Sequence, residues 1–397
     1  MARKKRKSCL GALLGMGISI FIVWVIIGMT GLKWKESYEK RAEIPYPQIN
    51  LKEVNPAEKY YYELLQENEK IIYQEILQGL MDGEKEIYLH SADAQKNNEL
   101  FQAVLNDYPE IFWCDGQGNT TIYEKGMESY SVLSPKYHYE SEERKTRQKE
   151  IDAVVQTILE GAPKSGTDYE KIQYVYEYVI GHTDYREDSP DNQNIYSVLV
   201  NGESVCAGYA RATQYLLEQL NVFCTYVTGQ AKRPDAKEAV PHAWNLVSCD
   251  GAYYYVDTTW GDPIYLKEVD ANIVYDYLCI SQAELFQTHT PDAGFKLPEC
   301  TSNASNYYVK NEMYYESYDR NVMLEKMRES IQNQEAQIVF KFADEAVYRE
   351  AKKEILGDVM KEAAEYLGKM YQLSRVEYSY KDEEILHKIT IFWSYDS

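Results

Sequence analysis

Apolar and polar positions repeat along this chain with two periods, and the points where the period changes mark its elements. From Asn55 to about Gly79, apolar residues and tyrosines recur at helical spacing, with Asn55-Pro56 as N-cap and first helical position. Between 86 and 140 a short strand (EIYLH), a helix (NNELFQAVLNDY) and the segment PEIFW precede tyrosine-rich strands. Helical spacing returns from about Glu142 to Leu159 and breaks at Gly161 to Gly166. It resumes to about Ile180 behind a cap at Thr167 or Asp168, with Glu170 in the first turn. After the loop HTDYREDSPDNQN come a short helix (IYSVLV), the turn NGES and a helix opening near Cys206 (SVCAGYARATQYLLEQL). Four strands are then predicted: FCTYVTG, HAWNLVS, AYYYVDTTW and VYDYLCIS. Near residue 301 a small β-α-β-β unit begins. QIVFKF alternates as a strand, 344–371 reads as one long helix, and RVEYSY and LHKITIFW close the unit.

The N-terminus carries a different pattern. Residues 8–32 contain no charged side chain, and about 20 apolar residues suffice to span a bilayer. Five basic residues, Arg3 to Lys7, precede this run, and the bias of Lys and Arg toward the cytoplasm puts the N-terminus inside. The run is long for a cleaved signal peptide, and no clean small-x-small cleavage site follows it. The expected organisation is a basic cytoplasmic tail (1–9), a transmembrane helix (10–32), and a stalk (33–50) broken by Pro45 and Pro47. A mixed, mainly helical region (51–160), a catalytic domain (161–300) and a C-terminal α/β unit (301–397) follow, all extracellular.

Charge narrows the partners. Residues 1–35 hold seven Lys or Arg and no acid, whereas residues 36–397 hold 35 basic against 63 acidic side chains, a net of −28. An acidic body of that size repels nucleic acid and anionic membrane surfaces. The 38 tyrosines against nine phenylalanines suggest wide half-buried faces whose hydroxyls tolerate water. Seven cysteines lack paired spacing, so few or no disulfides are expected. No phosphate-binding glycine loop, CxxC pair or HExxH occurs, and neither cofactor nor metal is implied.

The candidate chemistry lies in three residues. Cys206 is followed 36 positions later by His242, and that by Asp257 after 15 more. Ser204 is a good N-cap, which puts Cys206 in the first helical turn, where the helix dipole and free N–H groups favour a thiolate. Cys206 shares the helix's inward stripe with Tyr209, Thr213, Leu216, Leu217 and Leu220. Asp250-Gly251 is a strong hairpin signal. A two-residue loop there pairs Cys249 with Ala252 and sets Asp257 opposite Trp244, on the same face as His242. Diagonal neighbours of this kind lie about 7–8 Å apart at Cα, within reach of a carboxylate–imidazole hydrogen bond. A lone cysteine on an apolar helix face is usually a small core residue. A cysteine, a histidine and an aspartate in matched register are the ingredients of nucleophile, base and orienting group. His182, at a helix end, suits capping of the last carbonyls better than chemistry.

The stretches SVCAGYARATQYLLEQLNVFCTYVTGQ and VPHAWNLVSCDGAYYYVDTTWGDP closely resemble the transglutaminase-like superfamily, most of all its bacterial surface members, over about residues 165–290. The resemblance implies an α+β, papain-like core in which a nucleophile helix packs on an antiparallel sheet. It also implies that Cys206 is the nucleophile, His242 the base and Asp257 the residue orienting it. An amide carbonyl of a peptide or protein substrate, cell-envelope proteins included, would be attacked to give a thioester, then released to water or to an amine. Hydrolysis is favoured because an open, water-accessible site is the simpler outcome; a surface scaffold without turnover is the rival reading. The family's oxyanion donor has no unambiguous match, and Gln193 together with the backbone N–H of Cys206 is the candidate. Trp244 and Trp260 are expected to shape the site wall.

Overall fold

A cysteine-bearing helix lies against a four-stranded antiparallel sheet, and the rest of the first structural unit holds these two in place. The computed structural model describes residues 44–50, 56–125, 128–234, 236–263 and 273–395. The basic tail, the apolar segment 10–32 and most of the stalk lie outside the described residues. Among the described residues no helix is long and apolar enough to cross a membrane. The chain divides into two units: one runs to Tyr277 and includes His289–Glu299, the other takes Leu278–Thr288 and the chain from Cys300.

The first unit contains, in order, α1 (Tyr60–Glu63), α2 (Glu67–Asp82), β1 (Ile87–Leu89), α3 (Ala94–Asp107), β2 (Cys114–Lys125) and β3 (Glu128–Tyr137). Next come α4 (Ser141–Gly161), α5 (Asp168–Gly181), β4 (Asp184–Tyr185), α6 (Ile195–Leu199), β5 (Glu203–Ser204) and α7 (Cys206–Gln219). The principal sheet closes it with β6 (Cys224–Ala231), β7 (Val240–Cys249), β8 (Ala252–Val256) and β9 (His289–Pro291). Its strand order is β8-β7-β6-β9, and a second sheet is ordered β1-β3-β2.

Local chemistry accounts for most boundaries. Thr167 caps α5 in a reciprocal box with Glu170, as its spacing predicts. The helix expected from Pro56 instead starts at Tyr60, because Glu58 takes a left-handed φ of 84° that no helix tolerates. It then breaks, and α2 begins behind a new capping box of Gln66 and Glu69. The Asp250-Gly251 turn has φ of 51° and 81°, the left-handed pair of a type I′ hairpin. Cys249 pairs with Ala252 and Asn245 with Val256, the predicted register. The predicted strand VYDYLCIS is absent. Tyr275–Tyr277 form one 3-10 turn, and the Tyr277 carbonyl accepts the Asp257 N–H at 3.0 Å. The fourth strand is β9, which runs antiparallel to β6 with His289 opposite Ala231.

In the second unit, β10 (Tyr314–Tyr315), β11 (Gln337–Phe342), β12 (Tyr378–Glu383) and β13 (Lys388–Trp393) form a sheet ordered β10-β11-β13-β12. The expected β-α-β-β elements are present, and a helix over Arg320–Gln332 adds to them. The long helix predicted over 344–371 is broken within Ile355–Val359, where Gly357 leaves helical geometry (φ −91°, ψ −109°) and the chain kinks. Tyr348, Ala351 and Ile355 before the kink and Val359, Met360, Ala363 and Leu367 after it are all buried in the same core.

Candidate functional site

Cys206 is the first residue of α7, and its side chain is buried. The N-cap is Val205, not Ser204, and no side chain caps the helix. Ser204 is drawn away by other partners: its Oγ donates to the Asn192 carbonyl at 2.7 Å and lies 2.7 Å from Ser197 Oγ. The Val205 N–H also donates to the Asn192 carbonyl, at 3.0 Å. The start of α7 is therefore tied to the preceding loop, not capped by its own side chain. The first N–H groups of a helix still have no intrahelical acceptor, so the sulfur sits at the positive end of α7.

The predicted inward stripe is buried throughout, and polar contacts lock it to the sheet. Asn245 Nδ2 donates to the Ala210 carbonyl at 2.9 Å. Thr213 Oγ1 lies 3.2 Å from Thr258 Oγ1, and Tyr209 Oη lies 2.8 Å from Asp262 Oδ2. The HAWN and D-x-T-W stretches thus hold the helix as well as supplying His242 and Asp257.

His242 lies in β7 and is 3% exposed; Asp257 follows the last residue of β8 and is 1% exposed. His242 Nε2 donates to Asp257 Oδ2 at 2.7 Å, the contact that the hairpin register predicts. Asp257 Oδ1 accepts the N–H groups of Thr259 at 2.9 Å and Trp260 at 3.0 Å. Burial opposes the protonated form of His242. The Asp257 charge and hydrogen bond, joined by a hydrogen bond and charge from Cys206, override it and raise the ring to about 10. Burial likewise opposes ionised Asp257, but His242 and His289 hold its carboxyl well below the usual range.

His289 was not singled out in the sequence. It sits at the start of β9, fully buried, and its Nε2 lies 3.1 Å from Asp257 Oδ2. Its signal is faint: one histidine in a three-residue strand, 32 positions beyond Asp257. Among the described residues, His242, Asp257 and His289 form a group with donor atoms within 4.8 Å of one another. Those atoms hydrogen-bond to each other, and Oδ1 is engaged by two backbone N–H groups, so the arrangement reads as a hydrogen-bonded cluster.

Trp244 and Trp260 are both buried near His242. Trp244 stacks beside His242 with centroids 5.9 Å apart, and the Trp260 centroid is 6.2 Å from that ring. Gln193 lies in the wall of a cavity of about 360 Å³ that Ala207, Arg211 and Tyr226 also line. Ala207 is the neighbour of Cys206, and the Arg211 guanidinium stacks over Tyr226 at 4.6 Å. Burial raises the Tyr226 phenol to about 12, with the Cys206 charge contributing. His182 caps as expected, its Nδ1 2.9 Å from the Tyr178 carbonyl. The six described cysteines other than Cys9 are all free and buried.

A helix-borne cysteine over an antiparallel sheet that carries a histidine–aspartate pair defines a papain-like arrangement of mixed helix and sheet. Residues 153–258 match the family model of the transglutaminase-like superfamily. The chain therefore carries a domain of that superfamily. Human kyphoscoliosis peptidase is 24% identical over 184 residues, covering 41% of this chain and 27% of that protein. The chain thus spans about a quarter of that relative's length. A solved structure described as that of a TGase shares 16% identity at a TM-score of 0.24, over 44% of this chain and 50% of that one.

Proposed function

We propose that the protein is a thiol enzyme acting on amide bonds of peptide or protein substrates, with Cys206 as nucleophile, His242 as base and Asp257 as the orienting group. The single observation that supports this most is the buried 2.7 Å contact of His242 Nε2 with Asp257 Oδ2, together with a buried Cys206 at the start of α7. With the proton already held on His242, the sulfur adds as a thiolate to the amide carbonyl carbon. The tetrahedral intermediate collapses, the His242 proton goes to the leaving amine, and an acyl thioester remains on Cys206. Water then adds with His242 as base, releasing the acid and restoring the thiol. The Cys206 N–H and the Gln193 side chain serve as oxyanion donors; that Gln193 lines the same cavity as Ala207, the neighbour of Cys206, supports that role.

Hydrolysis is the favoured second half, and the peptidase name of the human relative agrees with it. Incubating the full-length protein with a glutamine-containing peptide and a primary amine, followed by intact-mass spectrometry, tests this reading. An acyl adduct on Cys206 that decays to the free acid is expected. An amine-substituted peptide would mean cross-linking. No adduct with any amide tested, and no difference from Cys206→Ser, would leave an inert surface protein.

The uncharged run 8–32 behind five basic residues supports a single-span anchor, with the N-terminus cytoplasmic and the bulk of the chain extracellular. Release of the protein from membranes by alkaline carbonate would count against the anchor.

A further inference from the structure

We propose that His289 is a positioning residue that acts through Asp257, sharing Oδ2 with His242 so that the buried carboxylate stays ionised and aimed at the imidazole. This rests on the Cys206–His242–Asp257 reading above. The geometry is specific. Two imidazole Nε2 atoms converge on one oxygen, His242 at 2.7 Å and His289 at 3.1 Å, while Oδ1 accepts two backbone N–H groups. A carboxylate out of water needs its lone pairs occupied, and His289 supplies the fourth donor. Without it, one imidazole and two amides would have to carry a full negative charge at a position that is 1% exposed.

The ring is also held mechanically. Its centroid lies 4.6 Å from Trp260, 5.1 Å from Trp244 and 6.3 Å from Tyr277. The strand that bears it is set by β6, where Gly229 leaves room: a Cβ there would stand 2.2 Å from the Thr290 carbonyl oxygen. Among the described residues, the titratable groups facing His289 include Asp257 after β8, His242 on β7 and Tyr277 on its 3-10 turn, with Cys206 acting through His242. The β6 residues opposite β9 (Gly229, Gln230 and Ala231) carry no charge.

The sign follows from the chemistry. Donation from His289 favours ionised Asp257, so removing the donor lets Asp257 take a proton at higher pH. Protonated Asp257 no longer stabilises the His242 imidazolium, and the Cys206 thiolate is lost with it. The readout is the rate of Cys206 alkylation by iodoacetamide against pH in the full-length protein, which needs no substrate. His289→Leu is expected to move the acid limb of the profile upward by about one pH unit, the ordinary size of one charge-assisted hydrogen bond. His289→Gln, whose amide N–H can replace Nε2–H, is expected to keep the wild-type limb. A purely structural role would lower melting temperature in both without separating their profiles. If His289→Leu folds and its acid limb stays at the wild-type pH, the positioning role is wrong while the Cys206–His242–Asp257 reading stands. If the wild type itself titrates as an ordinary thiol near pH 8.5, that underlying reading fails instead. Should His289→Leu not fold, proton-detected nitrogen NMR of the wild type decides: a His289 Nε2 without a proton between pH 5 and 8 overturns the proposal.

Discussion

Asp257 is where the site's energetics concentrate. Four N–H groups from two backbone amides and two imidazoles meet its two oxygens, which is why so buried a carboxyl stays ionised. The partner of that charge is the His242 proton, and its pH dependence has a definite sign. Folded His242 keeps its proton to about pH 10, whereas an unfolded imidazole releases it near 6.5. The stability this contributes is therefore complete below about pH 6.5 and is lost as pH rises toward the folded value. In wild type a thiolate on Cys206 would supply that proton from within and mask the effect. In Cys206→Ser it is exposed: Asp257 still raises the ring although the Cys206 contribution is gone, so stability is expected to fall as pH rises above about 6.5, with a slope of up to about 1.4 kcal/mol per pH unit. Cys206→Ser/His242→Gln should lack that slope, and chemical denaturation across this pH range checks it. At this scale the sequence was informative for Cys206, His242 and Asp257, because one helix phase and one hairpin register relate them. His289 was not legible, since nothing local links a three-residue strand to a carboxylate on a different part of the sheet.

At the level of elements, turn and cap chemistry was readable wherever it was local. The Asp250-Gly251 hairpin and the Thr167–Glu170 box were both in plain view. Departures arose where a tertiary partner outbid the local rule. Ser204 has the chemistry of an N-cap, yet its hydroxyl bonds the Asn192 carbonyl and Ser197, and Val205 takes the cap position. The kink in 344–371 falls at Gly357, but the helical spacing of apolar residues continues on both sides and reads through it. The pairing of β9 with β6 was invisible because the two are distant in sequence, although one residue betrays it. Gly229 faces the Thr290 carbonyl and Trp244 Cη2 so closely that a Cβ would lie 2.2 and 2.7 Å from them. Gly229→Ala is expected to cost about 1–3 kcal/mol through overpacking against β9. Melting the variant beside Gly251→Ala, whose Cβ would meet nothing within 4 Å, separates this crowding from the backbone strain of a left-handed glycine.

Across the whole molecule, the tyrosines cover half-buried surface, as composition suggests, and also reach into the core. Tyr61, Tyr73, Tyr176 and Tyr209 are buried, and each hydroxyl reaches a carbonyl or carboxylate distant in sequence. Tyrosine here acts as a core residue that also satisfies buried acceptors. The acidic net charge of the body disfavours nucleic-acid partners but does not identify a substrate. The central claim depends on α7, β7 and the end of β8 meeting at one buried point, where a thiol and an imidazole share a proton. Alkylation of Cys206 by iodoacetamide across pH, in wild type and His242→Ala with Cys206→Ser as control, tests that meeting most directly. Wild-type Cys206 is expected to react readily at pH 6 to 7, and His242→Ala to lose about tenfold or more there and titrate near pH 8.5. Coincident profiles for the two proteins, both with a midpoint near pH 8.5, would contradict it.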